Sequence, residues 1–282
     1  MNIAIIGLGL MGGSLGRAII KHTEHKVFGY DVDPQSMVKG NLLRAYNEEL
    51  TDANIANMDM VIVALHPENT LKSLEEVAPK LKSGAILCDC CGNKRTVVSL
   101  MEELRVKYPE IHYVSLHPMA GREFSGIQHS TIGLYDKASI IAVPVHTEIA
   151  PLTTVKKLFM DINAERFVVS TPEDHDKIIA YTSQLAHIVS SAYVQNSMSR
   201  EHMGFSAGSF KDMTRVAKLN ANMWSELMID NADNLSDQIA ELISSLQTFK
   251  IHLDARDYDG LHSILQNGVS AKEYAENLRK NH

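Results

Sequence analysis

Apolar positions in the first 170 residues fall into short dense runs that alternate with amphipathic stretches. Asn2–Ile6, Lys26–Tyr30 and residues 59–65, 84–89 and 111–116 are rich in branched or apolar side chains and bounded by turn residues, which predicts five buried strands. Helices are predicted between them at residues 14–21, 70–81 and 99–108. Two further strand-like runs, 138–143 and Arg166–Val169, bracket a helix over about 147–162. Strands alternating with helices predict an α/β fold, a doubly wound Rossmann-type sheet that is mostly parallel.

The pattern changes near residue 170. All eight prolines lie at or before Pro172. Thr171-Pro172-Glu173-Asp174 has a capping threonine, a proline in the first turn and acids beside the positive end of the helix dipole, so it opens a helix. Beyond it the pattern is helical to the end. Leu235, Ile239, Leu242, Leu246, Phe249 and Leu253 step by four and three, a seam suited to a partner helix and here read as a homodimer contact. The expected division is therefore 1–170, a nucleotide-binding domain, and 171–282, an all-helical substrate-binding and dimerisation domain.

The junction of the first predicted strand and helix carries Gly7-Leu8-Gly9-Leu10-Met11-Gly12. Gly7 permits a tight turn, Gly9 lets a pyrophosphate approach the backbone, and Gly12 lets helix and strand pack closely, with the helix N-terminus facing the phosphates. Asp31 ends the second strand, nineteen residues after Gly12, where an acid accepts hydrogen bonds from an adenosine ribose. A carboxylate there repels a 2′-phosphate, and no Lys or Arg follows before Lys39, so the expected cofactor is NAD. Leu8, Leu10 and Met11 complete the loop. Leu65, His66 and Asp89, at the carboxyl ends of later strands, join the expected cofactor-binding positions, because ligands gather there in doubly wound sheets.

Composition narrows the partners. A net charge of −7 disfavours nucleic acid and anionic membranes. No apolar run reaches the ~18 residues needed to span a bilayer, and the amino terminus enters a strand at once, so no signal peptide is expected. Cys88, Cys90 and Cys91 lie too close together to staple distant parts of the chain. They lack a fourth ligand at familiar spacing, so no metal is expected, and a reducing cytoplasm is.

Among candidate reactive groups, His117 leaves the fifth predicted strand and could act as general base on a substrate hydroxyl. Lys94 follows Asp89 and could neutralise an anion, pin Asp89 or lie solvated. His187 sits on an otherwise apolar helix. Arg215 can grip a carboxylate through two parallel hydrogen bonds, with Asp212 one turn earlier to orient it. Trp224, the sole tryptophan, follows nine residues later as a possible pocket wall.

The glycine motif, Asp89…Lys94, His117-Pro-Met-Ala-Gly121, Glu173-Asp-His-Asp176, Ser183…His187 and Gly208…Phe-Lys-Asp-Met-Thr-Arg215 occur in one order. Together they resemble the prephenate/arogenate dehydrogenases of tyrosine biosynthesis, nearly end to end. The resemblance implies that His117 takes the ring hydroxyl proton while hydride passes to NAD, and that loss of CO2 makes the ring aromatic. It also implies that Arg215 binds a substrate carboxylate, that His187 positions substrate, and that Asp212 and Trp224 support them. Three positions depart from the family pattern. Gly92 replaces a serine that touches the substrate hydroxyl, leaving that hydrogen bond absent or supplied by Asn93 or water. Gln184 replaces a histidine, and Arg122 replaces a threonine at the pocket mouth. Two other readings remain: a β-hydroxyacid dehydrogenase with Lys218 as base, and a nucleotide-sensing module that turns nothing over.

Overall fold

The structure, a computed structural model, describes residues 1–122 and 124–280; Glu123, in the segment that follows His117, lies outside the described residues. The first part of the chain runs β1 (Asn2–Ile6), α1 (Leu10–His22), β2 (Lys26–Tyr30), α2 (Pro34–Leu42), β3 (Glu48–Glu49), β4 (Met60–Val63), α3 (Pro67–Val77) and β5 (Ile86–Asp89). It continues through α4 (Arg95–Lys107), β6 (His112–Pro118), β7 (Ser139–Val145), α5 (Ile149–Asp161) and β8 (Arg166–Val169).

The eight strands form one sheet in the order β3-β2-β1-β4-β5-β6-β7-β8. All neighbours are parallel except β6 and β7, which run antiparallel. Strand order reverses at β1, so the crevice beyond the carboxyl ends of β1 and β4 is the topological switch point where such sheets bind ligands. Successive residues of a strand feed opposite cores. Ile3, Ile5, Met60, Ile62, Cys88 and Val114 enter one buried cluster, while Ala4, Ile6, Val61, Val63, Leu87 and Tyr113 enter the other. Burial on both faces is why these strands read as continuous apolar runs.

Two differences from the sequence reading have simple causes. Neither α2 nor β3 was anticipated: α2 buries only Gly40, and β3 is two glutamates paired to Phe28 and Gly29. β6 runs on through Pro118, because antiparallel β7 pairs His117 with Ile141 and Pro118 with Ile140. His117 therefore stands inside the β6–β7 ladder, one residue from its end, rather than in a loop beyond it.

Residues Met1–Ala232 form one compact unit and Asp233–His282 a second. The first unit includes α6 (Pro172–Ile179), a π-turn at Ala180–Gln184, α7 (Leu185–Val194), α8 (Gly208–Thr214) and α9 (Ala221–Asp230). Thr171 caps α6 by accepting the Asp174 amide at 3.1 Å. The second unit holds two long helices, α10 (Ala232–Asp254) and α11 (Tyr258–Lys280), and the predicted seam from Leu235 to Leu253 lies wholly on α10. Leu246 and Leu253 of that seam are exposed.

Candidate active site

The glycine loop folds as its chemistry requires. Gly7 has φ +95°, and a Cβ there would lie 2.5 Å from the Ala64 carbonyl oxygen. A Cβ on Gly12 would lie 1.9 Å from the Gly7 carbonyl oxygen. Gly9 is different: nothing stands within 4 Å of where its Cβ would be, and it begins α1 without a capping side chain or an acid in the first turn. That leaves an open cradle at a helix N-terminus, which fits a pyrophosphate. Asp31 closes the other side, accepting the Leu8 amide at 2.7 Å and the Asp33 amide at 2.9 Å. Leu8 and Leu10 bury their side chains, so they can meet a dinucleotide only through their backbone, while Met11 packs partly on the core. Leu65 lies beside Gly7, and exposed His66 opens α3.

Asp89 does not join this cleft, and its placing corrects the sequence reading. It is fully buried at the end of β5, with its carboxylate taken up by the Lys94 ammonium (2.8 Å), the Ser115 hydroxyl (2.5 Å) and the Cys91 amide (2.6 Å). Lys94, also fully buried, gives its remaining donors to Ser115 Oγ at 2.9 Å and the Leu116 carbonyl at 2.7 Å. It is therefore no solvated lysine.

Next to this network stands His117. Its Nδ1 lies 2.8 Å from His175 Nε2, and His175 Nδ1 lies 2.7 Å from Asp176 Oδ1. Burial alone would push Asp176 up, but hydrogen bonds from His175 and the Arg95 and Lys94 amides hold it below the usual carboxylate range, so it is ionised. The tautomers follow from that charge. His175 donates from Nδ1 to the carboxylate, its Nε2 must accept, and His117 must donate from Nδ1. The unprotonated nitrogen of His117 is then Nε2. Burial, the Lys94 charge and His175 push His117 well below its ordinary value against the pull of Asp176, so at neutral pH it is a neutral base.

A second group of residues surrounds the loop after β5. A Cβ on Gly92 would come within 3.0 Å of Leu227 on α9. Asn93 is buried; its amide nitrogen donates to the Leu227 carbonyl (2.7 Å) and Asp230 (2.9 Å), and its oxygen accepts from Gln184 (2.9 Å). Asn93 is thus committed to tying α9 and the π-turn to the loop and is no substitute for the family serine. Gln184 also accepts from Asn231 at 2.9 Å, so it serves the same brace.

A third group lies further along the helix that carries His175. His187 donates from Nδ1 to the Val216 carbonyl at 3.0 Å, and its ring sits 3.8 Å from that of Trp224. Burial lowers His187, the Val216 bond opposing. Val216 follows Arg215, so His187, Trp224 and the Arg215 turn meet at one place. Arg215 and Asp212 are exposed, as are Arg122, in the loop after β6, and Lys218. Cys88, Cys90 and Cys91 are free; burial raises each thiol, that of Cys91 to about 11, leaving them as poor nucleophiles. Among the described residues no group of three or more His, Cys, Asp or Glu is arranged to hold a metal. No helix among them is long and apolar enough to cross a membrane.

Residues 15–169 match the family model for the prephenate dehydrogenase nucleotide-binding domain, and residues 171–267 match the one for the prephenate dehydrogenase dimerization domain. The chain belongs to the prephenate dehydrogenase family. It is 28% identical to a prephenate dehydrogenase of Bacillus subtilis, over 98% of this chain and 76% of that one. A cyclohexadienyl dehydrogenase of Zymomonas mobilis is 29% identical over 92% of this chain and 91% of its own. The structure superposes on that of a prephenate dehydrogenase from Aquifex aeolicus, solved with hydroxyphenyl propionate and NAD+, with a TM-score of 0.83, 27% identity and 98% of each chain covered. This family member is accordingly a nucleotide-binding dehydrogenase with a dimerisation region that supports self-association.

The residues that sequence reasoning missed are His175 and Asp176. In the sequence they stand within the Glu173-Asp-His-Asp176 motif, which by itself gives neither a role. Their signal is a His-Asp pair in the first two turns of a capped helix, and nothing in the chain's order links it to a strand 58 residues earlier.

Proposed function

We propose that this chain catalyses the NAD-dependent oxidative decarboxylation of prephenate to 4-hydroxyphenylpyruvate, CO2 and NADH in tyrosine biosynthesis. One observation carries the chemistry: the hydrogen-bonded series His117–His175–Asp176, which leaves His117 neutral with Nε2 free to accept a proton. Bound NAD supplies the hydride acceptor, held by the Gly7–Gly12 loop, with Asp31 reading the adenosine ribose. His117 Nε2 takes the proton of the ring hydroxyl as the carbinol carbon is oxidised. The charge that forms on His117 is relayed through its Nδ1–H to His175 and balanced by Asp176. Loss of the ring carboxylate as CO2 then yields the aromatic ring, and that gain drives the reaction.

Arg215 holds a substrate carboxylate, with Asp212 in support, and His187 and Trp224 wall the site beside it. Gly92 brings no hydroxyl, so proton removal here relies on His117 alone. Arg122 at the mouth pairs with the side-chain carboxylate of prephenate and repels the ammonium of arogenate, which is the alternative substrate. In functional terms residues 1–170 bind cofactor, and residues 171–282 bind substrate and make a homodimer. The net charge of −7 supports small-molecule rather than nucleic-acid partners, and three free cysteines support a cytoplasmic setting.

Mixing the protein with prephenate and NAD and following NADH absorbance tests the assignment. His117→Asn should lower kcat by about 10² to 10⁴ while leaving NAD binding intact. Turnover that survives this change removes His117 as the base. Arg122→Thr should raise KM for prephenate, and an unchanged KM ratio for prephenate and arogenate defeats the role given to Arg122.

A further inference from the structure

Lys94 is a cation sealed wholly from solvent, and the proposed reaction gives it no task. It is 0% exposed, and all three ammonium donors are used: by Asp89 Oδ2 at 2.8 Å, Ser115 Oγ at 2.9 Å and the Leu116 carbonyl at 2.7 Å. Its backbone amide donates to Asp176 Oδ1 at 2.7 Å. One residue therefore grips both ends of the proton path. The ammonium holds the carbonyl just before His117, and the amide holds the carboxylate at which the path terminates.

We propose that Lys94 is a positioning residue of the reaction: a sealed cation that fixes the end of β6 and whose charge disfavours a second positive charge on His117. This rests on the reading of His117 as the base. The backbone amide would reach Asp176 from any residue but proline, so the ammonium itself is what needs explaining: it holds the Leu116 carbonyl just before His117, and a lysine kept to bind an anion would not be walled off from solvent.

The charges around His117 make the argument specific. From the loop after β5 comes Lys94, paired with Asp89 of that strand. From α6 come His175 and Asp176, and Asp176 is paired with Arg95 at the start of α4. Lys94 and Asp176 act on the imidazole in opposite senses. Burial first, then Lys94 and His175, hold it neutral, while Asp176 favours its protonated form. The ground state is thereby kept free to accept a proton, and the carboxylate stabilises the imidazolium once the hydroxyl proton has moved. Without Lys94 this balance shifts toward the protonated imidazole, with burial and His175 still opposing it.

The test uses Lys94→Met combined with Asp89→Asn, which removes both charges of the buried pair and leaves no orphaned carboxylate. In the pH profile of kcat/KM for prephenate, the acid limb should move to higher pH than in wild type, because Lys94, and not Asp89, is among the charges that disfavour protonation of His117. A limb that stays in place, in a double variant with native circular dichroism, overturns the proposal. A second readout, whose wild-type arm does not depend on that variant's folding, is the His117 imidazole in carbon-13 NMR of histidine-labelled protein, assigned by its loss in His117→Asn. Titration at or above the value of a free histidine refutes the proposal, as does a value unchanged in the Lys94 variant; a lower value that rises in that variant supports it, since burial alone would lower it in both. The two levels separate cleanly. If the wild-type acid limb persists in His117→Asn, the base assignment fails; if it vanishes there but does not move in the Lys94 variant, only the role of Lys94 falls.

Discussion

Asp176→Asn is the most informative single perturbation, because its effects on stability and on the proton path differ in kind. The carboxylate accepts at least four donors: His175 Nδ1 (2.7 Å), the Lys94 amide (2.7 Å), the Arg95 amide (2.9 Å) and Arg95 Nε (3.3 Å). Asparagine keeps one acceptor oxygen and presents an NH2 where the other stood, so one side of the site loses its bonds and faces donor to donor. An unsatisfied buried group costs about 1–3 kcal/mol and a broken buried ion pair about 3–5, so a loss near ~3 kcal/mol is expected in thermal or urea unfolding. The kinetic effect comes from tautomers. If the new NH2 faces His175, the His175 proton moves to Nε2, His117 Nδ1 becomes the acceptor, and the His117 proton is forced onto the nitrogen that must take the substrate's. The countercharge for the imidazolium is lost in either orientation. A misdirected base forfeits much of the 10²–10⁴ that general base catalysis supplies, so kcat should fall by about 10² with KM little changed. Steady-state assays of Asp176→Asn, His175→Ala and the double variant decide it. Groups acting in series are not additive, so the double should be about as slow as the slower single. A kcat within about threefold of wild type in folded Asp176→Asn, or full additivity in the double, refutes the series.

The depressed pKa of His117 has a sign that unfolding experiments can read. The unfolded histidine binds a proton near pH ~6.5 and the folded one only at lower pH, so stability is lost as pH falls below ~6.5 toward the folded value. His187, lowered for the same reason of burial, adds to the slope, and His117→Asn should reduce that slope without abolishing it; an identical slope argues against a buried neutral His117. Asp176 contributes in a more acidic window: its lowered pKa gives stability that is present above the unfolded carboxylate value and lost as pH falls through the folded one. Gly12→Ala would set a methyl 1.9 Å from the Gly7 carbonyl oxygen, a backbone atom that cannot swing aside. About 1–3 kcal/mol of destabilisation should appear in a melt, with at least about tenfold weaker NAD binding by titration, and unchanged binding would contradict the close packing of α1 on the glycine turn.

Much of the framework was legible before any coordinates, and for physical reasons. Strands buried on both faces announce themselves as unbroken apolar runs, and the glycine turn announces itself because Gly7 and Gly12 admit no Cβ. Elements that rest on little burial stayed invisible: α2 hides only Gly40, and β3 is a pair of glutamates on the sheet edge. The antiparallel entry of β7 was equally unreadable, since a run of alternating burial does not state its direction, and it alone places His117 within the ladder.

The residues after β5 show where one-dimensional reading stops. Asp89, Asn93 and Lys94 are polar residues at the carboxyl end of a strand; position argues that Asp89 and Asn93 meet ligand, while Lys94 could bind an anion, lie solvated or pin Asp89, and pinning Asp89 is what it does. Each has its hydrogen bonds filled by groups from elsewhere: Asp89 by Ser115, Asn93 by Leu227 and Gln184, Lys94 by Leu116 and Asp176. Sequence separations of 22 to 134 residues hide those partners. The outcome is nonetheless functional. A base that must stay neutral, donate from one nitrogen and accept at the other needs a buried and fully satisfied polar bed, because any loose donor or water beneath it would let the tautomer invert. The strand end therefore carries two layers. In the proposed reaction the backbone of the glycine loop and Nε2 of His117 would meet the ligands, and the buried Asp89–Lys94–Asp176 layer would support them from beneath.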